Sequence, residues 1–484
     1  MTEKLVASQP ATAEEEIRAH TTPGRARLEL LVIGLGALSV SLSQSMLVPI
    51  LGILPDDLHT SPSNVEWLLT STLLVGAVSV PVLGRLGDMF GKRRMLLFAL
   101  TALVVGSLLT AVTSNVAVLI LGRAIQGVSM AAIPLGISLL SSLLPRDRVA
   151  SAIAVISAML GVGGALGLPL AGFIGEHADF HVLFWVTAVA GGVAFVSTIL
   201  VVPESPARTG GKIDIVGSLL LTAALVSLLL PLAQGPTWGW GSDRVIGLLV
   251  LAVVLIVVFG WSQVRIREPL VDMVALRRTP IVLTNLASVL FGFALFASLI
   301  GTAAYVEAPV ASGYGFGSSI VVGGLCLLPS GICMLALAPL AARLIGAWGG
   351  HRTLAVGAVI VGLGWVTRIA ATSSLWEIIL GSTIIGAGTG IGYAAMPALI
   401  NANTPTTEIS AANGLNSLAR SLGTSLASAI GGSILVSATM TLDGFELPTL
   451  GAYRMLFAIC AVSAALAAVA ALFIPYETQH AADS

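Results

Sequence analysis

One acidic residue, Asp88, lies in a segment that is rich in cations for this chain. The segment covers residues 84–94 and reads Gly-Arg-Leu-Gly-Asp-Met-Phe-Gly-Lys-Arg-Arg. The cations close to Asp88 in sequence are Arg85, Lys92, Arg93 and Arg94. A carboxylate with several cations nearby can pair differently in two conformations, so the segment is a candidate gate. The alternative is that the cations only fix the orientation of the chain in a membrane, while Asp88 caps a helix.

Three further charged residues, Arg123, Glu307 and Arg420, fall within or at the rim of long apolar segments. An arginine deep in a membrane helix costs about 2.5 to 3.5 kcal/mol unless it faces a partner or a wet cavity. Arg123 and Arg420 are therefore predicted to orient a site or to receive an anionic group. Their alternative role is to hold helices together through backbone carbonyls. Glu307 is the candidate proton carrier, and its alternative role is that of an interfacial acid.

A substrate cavity is predicted from polar and large soft residues on the central helices. The predicted lining residues are Gln44, Gln126, Met130, Asn285, Phe291, Phe293, Phe296, Tyr393, Met396, Asn413 and Asn416. Such a mixture suits amphipathic organic compounds. The alternative for the phenylalanine and methionine side chains is ordinary packing between helices.

The chemistry of an enzyme is not indicated by this sequence. It has no phosphate-binding Gly-x-x-x-x-Gly-Lys-Ser/Thr loop and no His/Cys cluster with the spacing of metal ligands. Cys326, Cys333 and Cys460 all fall in apolar segments and are interpreted as packing residues. We expect no metal and no cofactor, with a proton gradient as the source of energy.

The elements that position these residues are predicted to be membrane helices. Hydrophobic residues make up 56% of the 484 residues and charged residues only 10%, a balance that no soluble domain of this size keeps. Runs of about 20 apolar residues predict membrane crossings. The predicted spans are 28–55, 66–87, 93–113, 115–141, 149–175, 180–202, 214–234, 244–263, 280–306, 318–345, 351–371, 375–401, 407–440 and 450–475. The prediction is an all-α membrane protein with 14 transmembrane helices.

The basic residues predict the orientation of these helices. Fourteen lysine and arginine residues fall in loops on one side, and the other side has at most Arg244, Arg368 and Arg454, each at a helix edge. By the positive-inside rule the first side is cytoplasmic. The sequence thus predicts a multi-pass protein of the plasma (inner) membrane of a bacterium. Both of its tails, 1–27 and 476–484, are predicted to be cytoplasmic.

An internal repeat divides the chain. Residues 342–352 repeat the outline of 84–94, with Arg343 at the position of Arg85, Gly349 at that of Gly91 and Arg352 at that of Arg94. Two six-helix halves, 28–202 and 280–475, are therefore predicted to flank a linker, 203–279, that carries two extra helices. Parallel repeats of this kind are known in transporters, which place their site between the halves.

The motifs resemble those of the major facilitator superfamily, and specifically its fourteen-helix drug:proton antiporters. Residues 84–94 resemble the loop between helices 2 and 3, and 121–127 resembles the helix 4 motif. Residues 164–172 resemble the helix 5 motif of exporters, although Leu168 separates Gly167 from Pro169. The acid of helix 1 is missing from 42–46. The helix 5 motif residues are Gly164, Gly167, Pro169 and Gly172.

The resemblance implies a fold and a gating role for the loop. It implies the superfamily fold, with Asp88 holding the cytoplasmic ends of the halves together when the site faces outward. Gly84 and Gly91 fit this role because glycine permits close backbone approach. The residues assigned to the gate are Gly84, Arg85, Asp88, Gly91, Arg93 and Arg94.

The leading functional hypothesis is a proton-coupled multidrug exporter that works by alternating access. An alternative is an exporter of an endogenous lipid or secondary metabolite, such as a self-resistance pump. A less favoured hypothesis is a membrane sensor that transports nothing. The expected partners are a small amphipathic substrate, protons and the lipid bilayer, with no nucleic acid, and the expected state is a monomer.

Overall fold

The protein was studied in a computed structural model that describes residues 22–205, 208–405, 407–442 and 445–475, without the side chains of Arg146 and Phe445. The predicted tail 476–484 and residues 1–21 of the predicted tail 1–27 lie outside the described residues. The rest of the first tail belongs mostly to a helix, because helix α1 begins at Pro23 with Thr22 as its N-cap. The first helix therefore starts five residues earlier than the predicted span at 28.

The described residues form eighteen α-helices and one short β-hairpin. The first nine helices are α1 (Pro23–Ser45), α2 (Leu54–Asp57), α3 (Pro62–Phe90), α4 (Lys92–Ala111), α5 (Val116–Gly127), α6 (Ala132–Leu143), α7 (Arg146–His177), α8 (His181–Val201) and α9 (Ile215–Trp238). The others are α10 (Asp243–Arg265), α11 (Met273–Leu276), α12 (Thr279–Glu307), α13 (Ile320–Leu325), α14 (Leu328–Ala336), α15 (Ala338–Ala370), α16 (Leu375–Ala402), α17 (Ile409–Ser437) and α18 (Leu450–Leu472). Strands β1 (Thr439–Leu442) and β2 (Phe445–Pro448) pair antiparallel between α17 and α18.

Twelve helical segments of the described chain are long and apolar enough to cross a membrane, which confirms an all-α membrane protein. Two predicted spans differ. The span 318–345 is divided among α13, α14 and the start of α15. The span 407–440 ends early, at Ser437, and its helix α17 is not among the twelve because serine, asparagine and arginine lower its hydropathy. The count of 14 crossings stays a prediction.

The repeat has a backbone counterpart at two glycines. Gly91 separates α3 from α4 with φ 124°, and Gly349 interrupts α15 with φ 79° and ψ 162°. Residues other than glycine rarely adopt a positive φ, so the backbone at both positions favours glycine. Helix α15 therefore consists of two arms that meet at Gly349, in the same way that α3 and α4 meet at Gly91.

Asp214 and Glu377 are acids that cap the starts of helices. The Asp214 carboxylate accepts a hydrogen bond from Gly217 N at 2.7 Å at the start of α9. Glu377 forms a capping box with Ser374 at the start of α16. These contacts satisfy backbone N–H groups that have no partner within the helix.

Among the contacts between the predicted halves, α3 packs on α17 at a first interface, and α7 packs on α13 and α14 at a second one. Small residues allow the first approach, since a Cβ atom at Gly414 would lie 3.0 Å from the Val80 carbonyl oxygen. The extra pair α9 and α10 joins at the first interface, where α9 packs on both α3 and α17. Only 17% of the most apolar stretch of α10 is buried, so this helix faces the surroundings on most sides.

Candidate functional site: a gate and a central cavity

Asp88 lies near the end of α3 and is buried against the start of α17. Its Oδ2 accepts a hydrogen bond from Ala411 N at 2.9 Å, and its Oδ1 accepts one from Ser410 N at 3.3 Å. Lys92 Nζ lies 3.8 Å from Oδ1. A carboxylate in this position satisfies unpaired N–H groups and complements the positive end of the helix dipole. Asp88 does cap a helix, and the helix belongs to the other half.

Further hydrogen bonds join the halves at the same end of the described structure. Ser410 Oγ donates to Ser138 Oγ at 2.6 Å, and Asn401 Nδ2 donates to Ser141 Oγ at 3.0 Å. The backbones are also close, because a Cβ atom at Gly84 would lie 2.7 Å from the Ser410 carbonyl oxygen. We call this end, which includes the segment 84–94, the basic face. The halves are in direct polar contact there.

Gly91 and Arg93 belong to a second contact on the basic face, made with Glu204. The Glu204 carboxylate accepts hydrogen bonds from Arg93 N at 2.9 Å and Arg94 N at 3.2 Å, at the start of α4. A Cβ atom at Gly91 would lie 2.6 Å from Glu204 Oε2. The Arg93 guanidinium donates to the Ile199 carbonyl at 2.7 Å. Of the predicted gate residues, Asp88 and Gly84 contact the other half, whereas Gly91 and Arg93 hold α4 against the end of α8.

Sequence reasoning missed Glu204. It lies 110 residues from Arg94 in sequence and has no motif of its own, so only the fold brings it to the start of α4. A carboxylate there stabilises the helix through its free N–H groups. The same carboxylate leaves no room for a side chain at position 91.

Arg123 and Gln126 lie together in the interior of the first half, and both are buried. Arg123 Nη1 donates to Gln126 Oε1 at 2.7 Å and to the Ser43 carbonyl at 3.1 Å, and its Nε donates to the Leu68 carbonyl at 3.3 Å. Gln126 Nε2 donates to Ser107 Oγ at 2.7 Å. These bonds tie α5 to α1, α3 and α4. Gln126 was predicted to line the cavity and instead lies in this network.

A central cavity of about 200 Å³ lies between the halves. Its lining includes four of the predicted lining residues, Gln44, Met130, Phe296 and Tyr393, and also Arg420, which was predicted as a buried charge. It also includes Gly164 of the helix 5 motif. Along α3 and α17, the nearest lining residues, Val80 and Ser417, are about 10 to 12 Å from the Asp88 contact. The contact on the basic face therefore closes one end of the space that holds the cavity.

Other predicted lining residues lie outside the central cavity. Phe291, Phe293 and Met396 are buried in the core of the second half. Asn413 donates to Asn401 Oδ1 at 2.6 Å, near the basic face.

Asn416 is buried and connects the cavity to its surroundings. Its Nδ2 donates to Asn285 Oδ1 at 3.0 Å and to Ser288 Oγ at 2.7 Å. Its Oδ1 accepts a hydrogen bond from Arg420 Nη1 at 3.3 Å. Asn416 thus positions Arg420 through a hydrogen bond, although Asn416 is not among the described lining residues of the cavity.

The helix 5 motif makes close contacts on two sides. A Cβ atom at Gly167 would lie 1.9 Å from Ser45 Oγ of α1, and one at Gly172 would lie 2.9 Å from Val321 N of α13. Pro169 is approached by α13 in the same way, since a Cβ atom at Gly324 would lie 2.5 Å from Pro169 N. The motif therefore places α7 between a helix of its own half and a helix of the other half.

The comparisons with known proteins agree with this architecture. The profile described as the Major Facilitator Superfamily matches residues 33–337 and 315–484. The chain belongs to the Major Facilitator Superfamily. It is a membrane transporter of small substrates and not an enzyme.

Two curated relatives of this superfamily member cover most of it. The tetracenomycin C resistance and export protein of Streptomyces glaucescens is 28% identical over 427 residues, 87% of this chain and 78% of the relative. The multidrug resistance protein Stp of Mycobacterium tuberculosis is 25% identical over 413 residues, 85% of this chain and 76% of the relative. The crystal structure of the human organic anion transporter MFSD10 shares the fold, with a TM-score of 0.62, 14% identity, and coverage of 92% of this chain and all of that chain.

In this superfamily chain, Glu307 is the last residue of α12 and is half-buried. It does not line the central cavity as far as the structure describes it, although the same helix contributes Phe296 and Ile300 to that lining. Gly323 lies beside it, because a Cβ atom there would be 2.8 Å from Glu307 Oε1. In the loop that follows α12, Tyr314 donates to the Pro448 carbonyl at 2.6 Å, and burial raises the pKa of its phenol.

Arg368 is a second residue that sequence reasoning did not identify. It was assigned to a helix edge, and it does lie in the last turn of α15, but its side chain is only 1% exposed. Nη1 and Nη2 have no described hydrogen-bond partner. The guanidinium lies 4.9 Å from the ring of Phe457 and 5.5 Å from that of Tyr305. Aromatic faces thus surround a buried cation, which is an attractive arrangement.

A second cavity, of about 410 Å³, opens near the basic face. It lies between α17 and the segment 266–276 that follows the extra helix pair. Arg85, Asn285 and Glu408 are among its lining residues. Arg85, predicted for the gate, therefore borders this cavity, and Arg94 is exposed at the surface. Among the described residues, no group of three histidine, cysteine or acidic side chains is arranged to hold a metal ion.

Proposed function

We propose that this protein is a proton-coupled exporter of amphipathic compounds that works by alternating access. The observation that carries the proposal is the contact of Asp88 with the start of α17, next to a cavity between the halves. This arrangement suits a transporter that is closed on its basic face. By the positive-inside rule the basic face is the cytoplasmic one, and an even number of crossings then places both termini in the cytoplasm. The proposed location is the plasma membrane of a bacterium.

The transport cycle follows from these contacts. The halves 28–202 and 280–475 rock against each other, and the linker 203–279 carries the two extra helices of a fourteen-helix antiporter. Loss of the Asp88 contacts opens the cavity to the cytoplasm, and their formation turns it outward. The names of the relatives, one a multidrug resistance protein and one an antibiotic export protein, support export as the direction.

Glu307 is the proposed proton carrier. It is a half-buried carboxylate on a helix that also lines the cavity, so a change in its protonation can reach the site through α12. Arg123 and Arg420 are the proposed buried charges of the transport machinery. We expect a monomer to perform the cycle in the lipid bilayer.

The test is transport by purified protein in liposomes with an imposed pH gradient. The wild type is expected to move an amphipathic fluorescent dye across the membrane against its concentration gradient while protons move in the opposite direction. Glu307→Gln is expected to abolish dye-driven proton flux while dye binding stays measurable. Glu66→Gln, a change of an acid that hydrogen-bonds to Thr237 away from the cavity, is the matched control. Unchanged flux in Glu307→Gln would remove Glu307 from the mechanism, and an absence of proton flux in the wild type would remove proton coupling.

A second candidate function is export of an endogenous secondary metabolite or lipid. The relative named for tetracenomycin C export favours it, and so does the cavity beside the extra helix pair, which gives an amphiphile room near the membrane surface. A susceptibility panel in a pump-deficient host distinguishes the two functions. Protection against many unrelated drugs is expected for the first function, and protection against one chemical class for the second.

A further inference from the structure

We propose that the central cavity selects amphipathic organic anions, and that Arg420 is the residue that recognises their carboxylate or phenolate group. The inference rests on the proposed export function and names the substrate class of the same site. It is argued from the charges, the hydrogen-bond donors and the apolar walls of the cavity.

The first argument is charge. Among the described lining residues, Arg420 is the only one whose side chain is charged at neutral pH. No described carboxylate lies within 4.0 Å of its guanidinium. A single uncompensated cation in a space of low dielectric attracts an anion and repels a cation. Among the lining residues that the structure describes there is no acid to bind a cationic drug.

The second argument is the supply of hydrogen-bond donors. A guanidinium carries five N–H donors in a planar fork, and the described bonds of Arg420 are those to Asn416 Oδ1 at 3.3 Å and Ser417 Oγ at 2.9 Å. Donors therefore remain for a bidentate contact with an oxyanion. Tyr393 supports the guanidinium from one side, with its ring centroid 5.1 Å from Cζ.

The third argument is that several lining hydroxyl groups already donate their hydrogen bonds within the protein. Ser45, Ser421 and Thr424 donate to backbone carbonyl oxygens, at distances of 3.0 to 3.3 Å. Gln44 adds an amide nitrogen that has no described hydrogen-bond partner. The charged donors of the described lining are thus concentrated at Arg420, and an oxyanion is the group that best matches them.

The fourth argument is the nature of the remaining wall. Leucine, valine and isoleucine side chains form most of it, with Met130 and Phe296 as the large soft members. Such a wall binds an apolar or aromatic body without directional contacts. One oxyanion and one apolar body together define the substrate class.

The test measures equilibrium binding to the purified protein by the fluorescence of three dansyl amides that differ only at the end of one tail. The tails end in a carboxylate, a neutral carboxamide and a trimethylammonium group. The wild type is expected to bind the carboxylate probe at least about tenfold more tightly than the trimethylammonium probe, since a charge-assisted hydrogen bond contributes about ten- to a hundredfold. Equal or tighter binding of the trimethylammonium probe would overturn the proposal.

Substitutions assign the preference to Arg420. Arg420→Gln is expected to remove the preference while the affinity for the carboxamide probe stays within about threefold. Arg420→Lys is expected to keep part of the preference, because it retains the charge without the planar fork. Arg244→Gln, the same substitution at an exposed arginine, is expected to keep all of it. A preference that survives in Arg420→Gln, or an equal loss of all three probes in both Arg420 variants, would contradict the assignment.

The binding measurement is independent of proton coupling and of the direction of transport. Selective binding of the anion by a protein that drives no proton-coupled transport would refute the proposed function and leave this inference standing. Proton-coupled transport without anion selectivity would refute this inference and leave the proposed function standing.

Discussion

At the scale of single residues, the buried arginines of this protein differ in what surrounds them. Arg123 donates to backbone and amide oxygens, Arg368 lies against aromatic rings, and Arg420 borders a cavity. A guanidinium that already meets several acceptors is held in place and ties helices together. One that keeps donors next to an open space is suited to bind a ligand. The surroundings, more than the residue type, separate structure from recognition.

Arg123→Gln tests the structural role of Arg123. The substitution removes the hydrogen bonds of the guanidinium to the Ser43 and Leu68 carbonyl oxygens, which tie α5 to α1 and α3, so we expect it to lower the free energy of unfolding by about 2 to 4 kcal/mol. Unfolding of the purified protein in increasing amounts of SDS measures this change, with exposed Arg244→Gln as the control. Normal stability together with lost transport would show that Arg123 acts in transport alone and does not stabilise the fold.

At the scale of helices, two of the described glycines with positive φ set where the repeated helix pairs bend. Gly91 and Gly349 occupy equivalent positions of the repeat and both need conformations that other residues avoid. The helices around them form from apolar runs with ordinary caps, such as Ser61 at α3 and Asn115 at α5. The position of each bend is therefore determined by one glycine, whereas the helices themselves form because their sequences are apolar.

Alanine substitutions of three glycines test this interpretation. Gly91→Ala and Gly349→Ala are each expected to destabilise the protein by about 1 to 3 kcal/mol, because the backbone is strained for alanine, and at Gly91 the Cβ atom also meets Glu204. Gly346→Ala is the matched control, since it lies within α15 with nothing within 4 Å of its Cβ position. It is expected to be neutral or slightly stabilising. Thermal unfolding of the three variants in one detergent measures the difference, and equal midpoints would contradict it.

At the scale of the whole molecule, the halves are held together at the basic face by polar contacts around one carboxylate. Asp88 replaces water at two backbone N–H groups of α17 and lies near Lys92. The two hydrogen bonds to α17 exist only while α3 and α17 touch, so Asp88 stabilises this conformation relative to one that is open on the same face. The gate is therefore an equilibrium that one residue biases.

Asp88→Asn tests the equilibrium. An asparagine keeps the shape but loses the charge at the helix start, and we expect the population that is open on the basic face to rise about tenfold or more. Spin labels at Asp147→Cys and Arg343→Cys, exposed positions in different halves, report it as a longer distance in electron–electron resonance measurements. Transport is expected to fall with little loss of folded protein. An unchanged distance distribution with normal transport would limit the loop to a role in membrane orientation.

Much of the fold could be predicted because lipid imposes simple rules. Apolar runs predicted the helices, and the repeat predicted that Gly91 and Gly349 are equivalent. Contacts between distant segments were not predictable in the same way. Glu204 meets α4, and Arg368 is buried among rings, only because the helices pack as they do. The polar residues of α17 were predicted to share one site, but Asn413 and Asn416 bond to neighbouring helices while Arg420 borders the cavity. The spacing of residues shows which of them share a face of a helix, but it does not show which helix packs against that face.

Within the described parts of the chain, the polar contact at α3 and α17 has no equivalent at the other edge where the halves meet. Gly346 occupies the position of Asp88 in the second repeat, with open space around it. The edge formed by α7 and α14 is held by close apolar packing, where a Cβ atom at Gly331 would lie 2.4 Å from Ala165 Cβ. Packing of this kind permits small rotations without breaking a charged contact. We therefore expect the halves to separate at the Asp88 contact while the packing along α7 stays closed, so that α7 lies near the axis of the rotation.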